Sequence, residues 1–395
     1  MSIYKSLGLD PIINAAGAVT RLGGAPMPAP VLTAFKDAAK QWVPLELLQA
    51  AASRMIAQCT GAEAGLVSAG SAAALTLGAA AIMTGNDLSR MEKLPHSEDF
   101  PHQFIVSRDH RSGYDHAVRA AGARFVEVGF NEVVAGAGVR RAEVWEYEAA
   151  IGPRTAGIFY TYGPASEPAL PELVKMAKRR KLPVMVDAAG ELPPRSNLFL
   201  AAATGADLVA FSGGKAIRGP QSTGILCGRG ELIASAAVQM LDMDDIWELW
   251  EPPADFIDKS AFPGLPRHGV GRALKVSKEE IVALVTALAM FEDGSYDQDL
   301  KSYQDLLNQI VELLDGLPLS CDVSQTEDER PPVLTIKLDP AAPPAIDICR
   351  KLRNGSPQIH VGQGQLREGA LVIHPLCLDA EQALTIANRI RSLLS

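Results

Sequence analysis

Lys215 closes the run Leu208-Val209-Ala210-Phe211-Ser212-Gly213-Gly214-Lys215, in which an apolar, strand-like segment runs into a glycine turn. An amine held at the end of a buried strand is costly if charged and unpaired. It is either a surface lysine closing a turn or a nucleophile. Upstream, Val184-Met185-Val186-Asp187 is a second apolar run that ends on a carboxylate. Taken alone, Asp187 could simply cap the following turn. A lysine and an aspartate at the mouths of two strands suit pyridoxal phosphate. The amine forms a Schiff base with the aldehyde, and the acid keeps the pyridine nitrogen protonated.

A third stretch, Leu66-Val67-Ser68-Ala69-Gly70-Ser71-Ala72, is a strand, a Gly-Ser pair and the start of a small-residue helix to about Met83. Free amides and the dipole at a helix start attract an anion, although Ser71 could equally cap the helix. This stretch precedes the aspartate and lysine strands in the order that a cofactor site would need. None of the seven histidines has HxxxH or HExxH spacing, so no metal site is expected.

The elements that position these residues alternate. Pro30 to Gly61 reads as two helices with apolar residues at three and four. Leu88 to His102 reads as a loop, Gln103 to Ser107 as a strand, and Tyr114–Ala121 as a helix. Further strands are expected at 124–129, 155–162, 183–187 and 208–211, with helices at 144–150, 171–180 and 198–204. Near-continuous apolar strands separated by helices predict a mostly parallel sheet covered on both faces. Ligands of such sheets sit at the carboxyl ends of the strands, where Ser71, His110, Asp187 and Lys215 fall. The segment 244–262 is acidic and aromatic and reads as a lid, a subunit contact or a packed surface segment. Beyond it, an amphipathic helix at 278–291 and a compact α+β unit are expected. The domain reading is an N-terminal arm at 1–30, a large domain at 31–265, and a linking helix with a small C-terminal domain at 266–395.

The bulk numbers are those of an ordinary globular enzyme: 395 residues, 47% hydrophobic and 21% charged. A net charge of −9 argues against nucleic-acid binding, which needs a basic face. Five cysteines without CxxC spacing read as reduced core residues. No signal peptide or membrane span is expected, which predicts a cytoplasmic protein.

The runs FSGGKAIRGPQSTGIL, VDAAGELPP and INAAGAVTRLGGAPM together resemble the selenocysteine-synthase-like branch of fold type I pyridoxal-phosphate enzymes. Within it, the SGGK, GPQ and RDHR-x-x-YD runs are most similar to the D-glucosaminate-6-phosphate ammonia-lyase group. The likeness runs in order from about residue 8 to 290. It implies an α/β fold with a mostly parallel, seven-stranded sheet in a large domain. It implies that Lys215 is the Schiff-base lysine and later the base at the α-carbon, and that Asp187 pairs with the pyridine nitrogen. It further implies that Ser71 and Ala72 bind phosphate with help from Ser212. His110 and Ala189 would cover the two ring faces, and Gln221 would reach a neighbouring subunit's phosphate.

A substrate carboxylate needs an arginine. Arg21, Arg267 and Arg272 are the candidates, and each could instead be a surface ion pair. Selenocysteine synthase carries an additional N-terminal tRNA-binding region and a basic surface. This chain is acidic and begins almost at the INAAG run, which speaks against tRNA-linked chemistry. The resulting expectation is a homodimeric or larger lyase. It would remove water and ammonia from a hydroxylated amino acid or amino-sugar acid. An aminotransferase or racemase on the same cofactor is the first rival, and a non-catalytic binding protein of the same fold the second.

Overall fold

Strands that are apolar along their whole length cannot leave a face in water, and the helices between them must supply the covering layers. The computed structural model describes residues 3–130, 141–324 and 329–394. It divides into two units, Met27–Glu292 and Met1–Pro26 with Asp293–Ser395. The first strand, β1 (Ile13–Ala15), belongs to the second of these.

The larger unit carries β2 (Ala64–Ser68), β3 (Gln103–Ser107), β4 (Arg124–Val128), β5 (Thr155–Thr161), β6 (Val184–Asp187), β7 (Leu208–Ser212) and β8 (Gly224–Gly228). They form one seven-stranded sheet in the order β2-β8-β7-β6-β5-β3-β4. Pairs from β7 to β4 are parallel, and β8 alone is reversed, antiparallel to both β2 and β7. The helix Gly70–Thr84 lies over the sheet, buried on almost every side. Its small residues permit that approach. A Cβ on Gly78 would stand 2.8 Å from Met185 Sδ and 3.2 Å from Leu208 Cδ1.

Two expectations differ in detail, and one open alternative goes to packing. Leu88–Lys93 is a short helix and not loop, because the Asp87 side chain accepts the amides of Ser89 and Arg90 and so starts it. The acidic aromatic segment is packed, with Trp250, Phe256, Ile257 and Phe262 buried. The helix Lys278–Glu292 belongs with the larger unit and not with the C-terminal one. It buries Ile281, Leu284, Leu288 and Phe291 and packs on the helices Ala29–Ala38 and Leu45–Thr60.

In the second unit, β9 (Leu319–Val323), β10 (Leu334–Leu338) and β12 (Ala370–Ile373) form an antiparallel sheet in the order β12-β10-β9. β11 (Ile359–Val361) pairs parallel with β1, setting Asn14 opposite His360. The start of the chain is therefore a strand with a partner, where the sequence suggests an extended arm. Helices Gln298–Leu314, Ala345–Arg353 and Ala380–Leu394 complete this unit's core through Leu307, Ile310, Ile348, Leu352, Ile386 and Ile390. Among the described residues no helix is long and apolar enough to cross a membrane.

Candidate active site

The lysine turn is built by a close return of the chain. β7 ends at Ser212, and the Gly213 amide donates to the Thr223 carbonyl at 2.9 Å. The Gly219 amide donates to the Gly213 carbonyl at 2.8 Å. A Cβ on Gly214 would stand 2.3 Å from Gln221 Cα, and one on Gly213 would stand 2.2 Å from Thr223 Oγ1. Only glycine leaves room for that return. The turn fixes where Lys215 emerges. Its Nζ lies 4.0 Å from the position that a Cβ on Gly190 would take.

Gly190 follows Asp187 by three residues, so the lysine reaches across to the end of the neighbouring strand. Asp187 closes β6, beside Ala210 of β7 and Thr161 of β5. The Ala189 amide donates to Asp187 Oδ1 at 3.0 Å. Burial pushes the Asp187 carboxyl above the usual carboxylate range, and the Ala189 bond and the Lys215 charge pull weakly the other way. Ala189 thus orients the carboxylate through its backbone, besides offering a small side chain.

His110 sits just past β3, in a turn that Ser107 starts by accepting the Asp109 amide. It is 5% exposed, and neither ring nitrogen has a hydrogen-bond partner. Its ring stands edge-on to Tyr160, with centroids 4.5 Å apart at 81°. Burial lowers its pKa to about 4, so the imidazole is neutral at physiological pH.

The anionic end lies along the same sheet edge. Ser68, Gly224 and Ser212 are register neighbours across β2, β8 and β7. A Cβ on Gly224 would stand 2.3 Å from the Gly70 carbonyl carbon and 2.4 Å from the Ser71 nitrogen, so β8 abuts the helix start directly. That helix is capped by Ala69 without any side-chain bond. Ser71 therefore lies inside the helix and does not cap it. Its first amides are left for another acceptor. Ser71, Ala72 and Ser212 are half-buried there, while Gln221 is exposed.

These features fit pyridoxal phosphate. A half-buried carboxylate, a nearby amine, a neutral imidazole without a hydrogen-bond partner and an uncapped helix start match the ring nitrogen, aldehyde, ring face and phosphate in turn. Two of the three candidate arginines carry acidic partners. Arg272 donates to Asp242, which also accepts from His268 at 3.0 Å, and Arg267 pairs with Glu92 at 3.3 Å. Arg21 belongs to the second unit, where its charge acts on Cys349 and His360. Sequence reading missed Tyr160 and Thr161. Their signal was their place at the end of β5, level with Val186 and Asp187.

The family model described as SelA: L-seryl-tRNA selenium transferase matches residues 114–243. A 5'-C-glycyluridine monooxygenase-decarboxylase from Streptomyces sp. is 30% identical, over 99% of this chain and 92% of that protein. A D-glucosaminate-6-phosphate ammonia lyase from Salmonella typhimurium is 28% identical, over 98% of this chain and 96% of its own length. The solved structure of a D-glucosaminate-6-phosphate ammonia-lyase superposes with a TM-score of 0.82 at 26% identity, covering 100% of this chain and 98% of that one.

Proposed function

The chain belongs to the selenocysteine-synthase-like branch of fold type I pyridoxal-phosphate enzymes, and from that premise we propose that it is a pyridoxal-phosphate-dependent ammonia-lyase acting on a hydroxylated amino acid or amino-sugar acid. The observation that carries this reading is the pairing of Asp187 and Lys215 at the ends of adjacent parallel strands, beside a buried histidine with no partner of its own.

When bound, the cofactor supplies an electron sink for negative charge at the substrate's α-carbon. Asp187 would accept the pyridine N–H, and that cation would offset the cost of burying the carboxylate. His110 and Ala189 would cover the ring. The first amides of the helix Gly70–Thr84, with the Ser71 and Ser212 hydroxyls, hold the phosphate. Lys215 would hold the aldehyde and, once freed by the substrate's amine, its Nζ would take the α-proton. That proton would go to the β-hydroxyl leaving as water, and the product released would hydrolyse to a keto acid and ammonia. In a cytoplasmic homodimer or larger assembly, Gln221, exposed in the single chain, reaches the neighbouring subunit's phosphate.

The test is direct. Protein loaded with pyridoxal phosphate is given D-glucosaminate 6-phosphate and other hydroxylated amino acids, without a keto-acid acceptor. Ammonia and keto acid in equal amounts support the lyase. Loss of α-deuterium without ammonia points to a racemase, and turnover only with an acceptor points to an aminotransferase. The Streptomyces relative favours a second reading, a monooxygenase-decarboxylase reaction on the same cofactor. Oxygen uptake with release of carbon dioxide and no elimination product would replace the first reading with that one.

A further inference from the structure

The second unit gathers positive charge that the proposed reaction does not use. A cavity of about 430 Å³ is lined there by Cys349, Arg350, Arg353, Asn354, Gln363 and Leu366. That volume lies in the range of small-molecule sites. Arg21, from the opposite end of the sequence, does not line it but lies close enough for its charge to reach Cys349. The charges of Arg353, Arg21 and Arg350 all act on the Cys349 thiol, and those of Arg353 and Arg21 also act on the His360 ring. Asp347 takes Arg350 at 2.5 Å. Among the described residues no ion pair takes Arg21 or Arg353.

A plainer account covers part of this. Arg350, Lys351 and Arg353 fill the last turn of the helix Ala345–Arg353, where cations complement the helix dipole. It does not cover Arg21, which is brought over by the pairing of β1 with β11. Like charges gathered at one cavity repel until a counter-ion stands among them. Guanidinium groups match oxyanions in shape as well as in charge.

We propose that this cavity is a binding site for a phosphate-class oxyanion, with Arg353 and Arg21 supplying the charge and the Asn354 and Gln363 amides supplying further hydrogen bonds. The site stands independently of the lyase reading. A phosphorylated substrate and free phosphate present the same chemistry to it.

His360 is a built-in reporter. It is 7% exposed and its Nδ1 has no hydrogen-bond partner. Burial first, then Arg353 and Arg21, hold its pKa below the usual histidine range. An anion seated beside those arginines cancels part of their effect and raises it. The experiment is a titration of the pyridoxal-phosphate-loaded enzyme with inorganic phosphate, followed by histidine-selective NMR. The expected result is a saturable shift of the His360 resonance and a rise in its pKa, while exposed His116 does not follow. Arg353→Gln and Arg21→Gln should each weaken the response by about tenfold or more, as loss of a charge-assisted bond does.

No His360 response, a response shared equally by His116, or one unchanged in both variants overturns the proposal. Displacement of phosphate by D-glucosaminate 6-phosphate makes a phosphate monoester the occupant. A saturable response without displacement makes free phosphate the occupant, and either result supports the site. Because the readout is a ring in the second unit and not turnover, failure of the lyase assay leaves this result standing.

Discussion

Thr161 donates its hydroxyl proton to the main-chain carbonyl of His110 at 3.0 Å, and the same residue stands opposite Asp187 in the β5–β6 ladder. One side chain thus fixes the histidine turn against the strand that borders the aspartate. Thr161→Val removes that bond, at a cost of about 1 kcal/mol in stability. It should weaken cofactor affinity more than an equally destabilising change remote from β5. Fluorescence titration of the cofactor-free protein with pyridoxal phosphate, set beside denaturant midpoints, measures both.

Lys215→Ala should leave the fold intact, because Lys215 is half-buried and takes no part in a core cluster. The variant should lose the yellow colour and the borohydride-stable adduct of the wild-type protein. A variant that still incorporated the label would move the covalent attachment to another lysine.

Asp187 carries a raised carboxyl pKa, set first by burial, against an ordinary value of 3.8. The native cofactor-free state therefore keeps a proton that the unfolded chain has already released. Stability falls as pH rises above 3.8 and through the native value. Asp187→Asn removes this penalty. The variant should melt higher than wild type when both lack cofactor at neutral pH, and the gap should close as pH is lowered. Its turnover should drop by about 10²–10⁴, the scale of a lost protonation role. Higher stability with lower activity would mark the carboxylate as placed for function.

His110 has the opposite sign. Its pKa is lowered from 6.5 to about 4 by burial, so the unfolded chain takes up a proton before the native one does. Stability of the cofactor-free protein is full above 6.5 and declines as pH falls toward about 4. His110→Gln should flatten that decline in urea unfolding. The wild-type pH–rate profile should show no limb from this ring between about pH 5 and 8, the interval in which an ordinary histidine titrates.

Gly224 holds the helix start against β8. Gly224→Ala sets a methyl 2.3 Å from the Gly70 carbonyl carbon, so the helix start must shift. A cost of about 1–3 kcal/mol is expected, with a loss of pyridoxal phosphate affinity larger than the loss of pyridoxal affinity. Comparing the two ligands isolates the phosphate end.

Much of the larger unit could be read from the chain because its strands are buried on both faces. Runs such as Val184–Asp187 and Leu208–Ser212 stay apolar throughout, and their ends are marked by the first polar residue. The helix Leu88–Lys93 escaped because one capping aspartate starts it inside a polar stretch. β9 escaped because it is a half-exposed strand, Leu-Ser-Cys-Asp-Val, with no fully buried face to enrich it. That Glu92 pairs with Arg267 and Asp242 with Arg272 was not legible, because partners far apart in sequence meet only in the fold.

Residue order alone determined the alternation of strand and helix, and with it a mostly parallel sheet whose strand ends carry Asp187 and the Lys215 turn. Those features follow from local periodicity and from glycines that any close turn demands. Only the folded chain decided that Thr161 would hold His110, that Gly224 would brace the helix start, and that Arg21 would join Arg353 beside Cys349. These are meetings between residues far apart in sequence. They are set by strand register and packing, which no single stretch of the chain encodes.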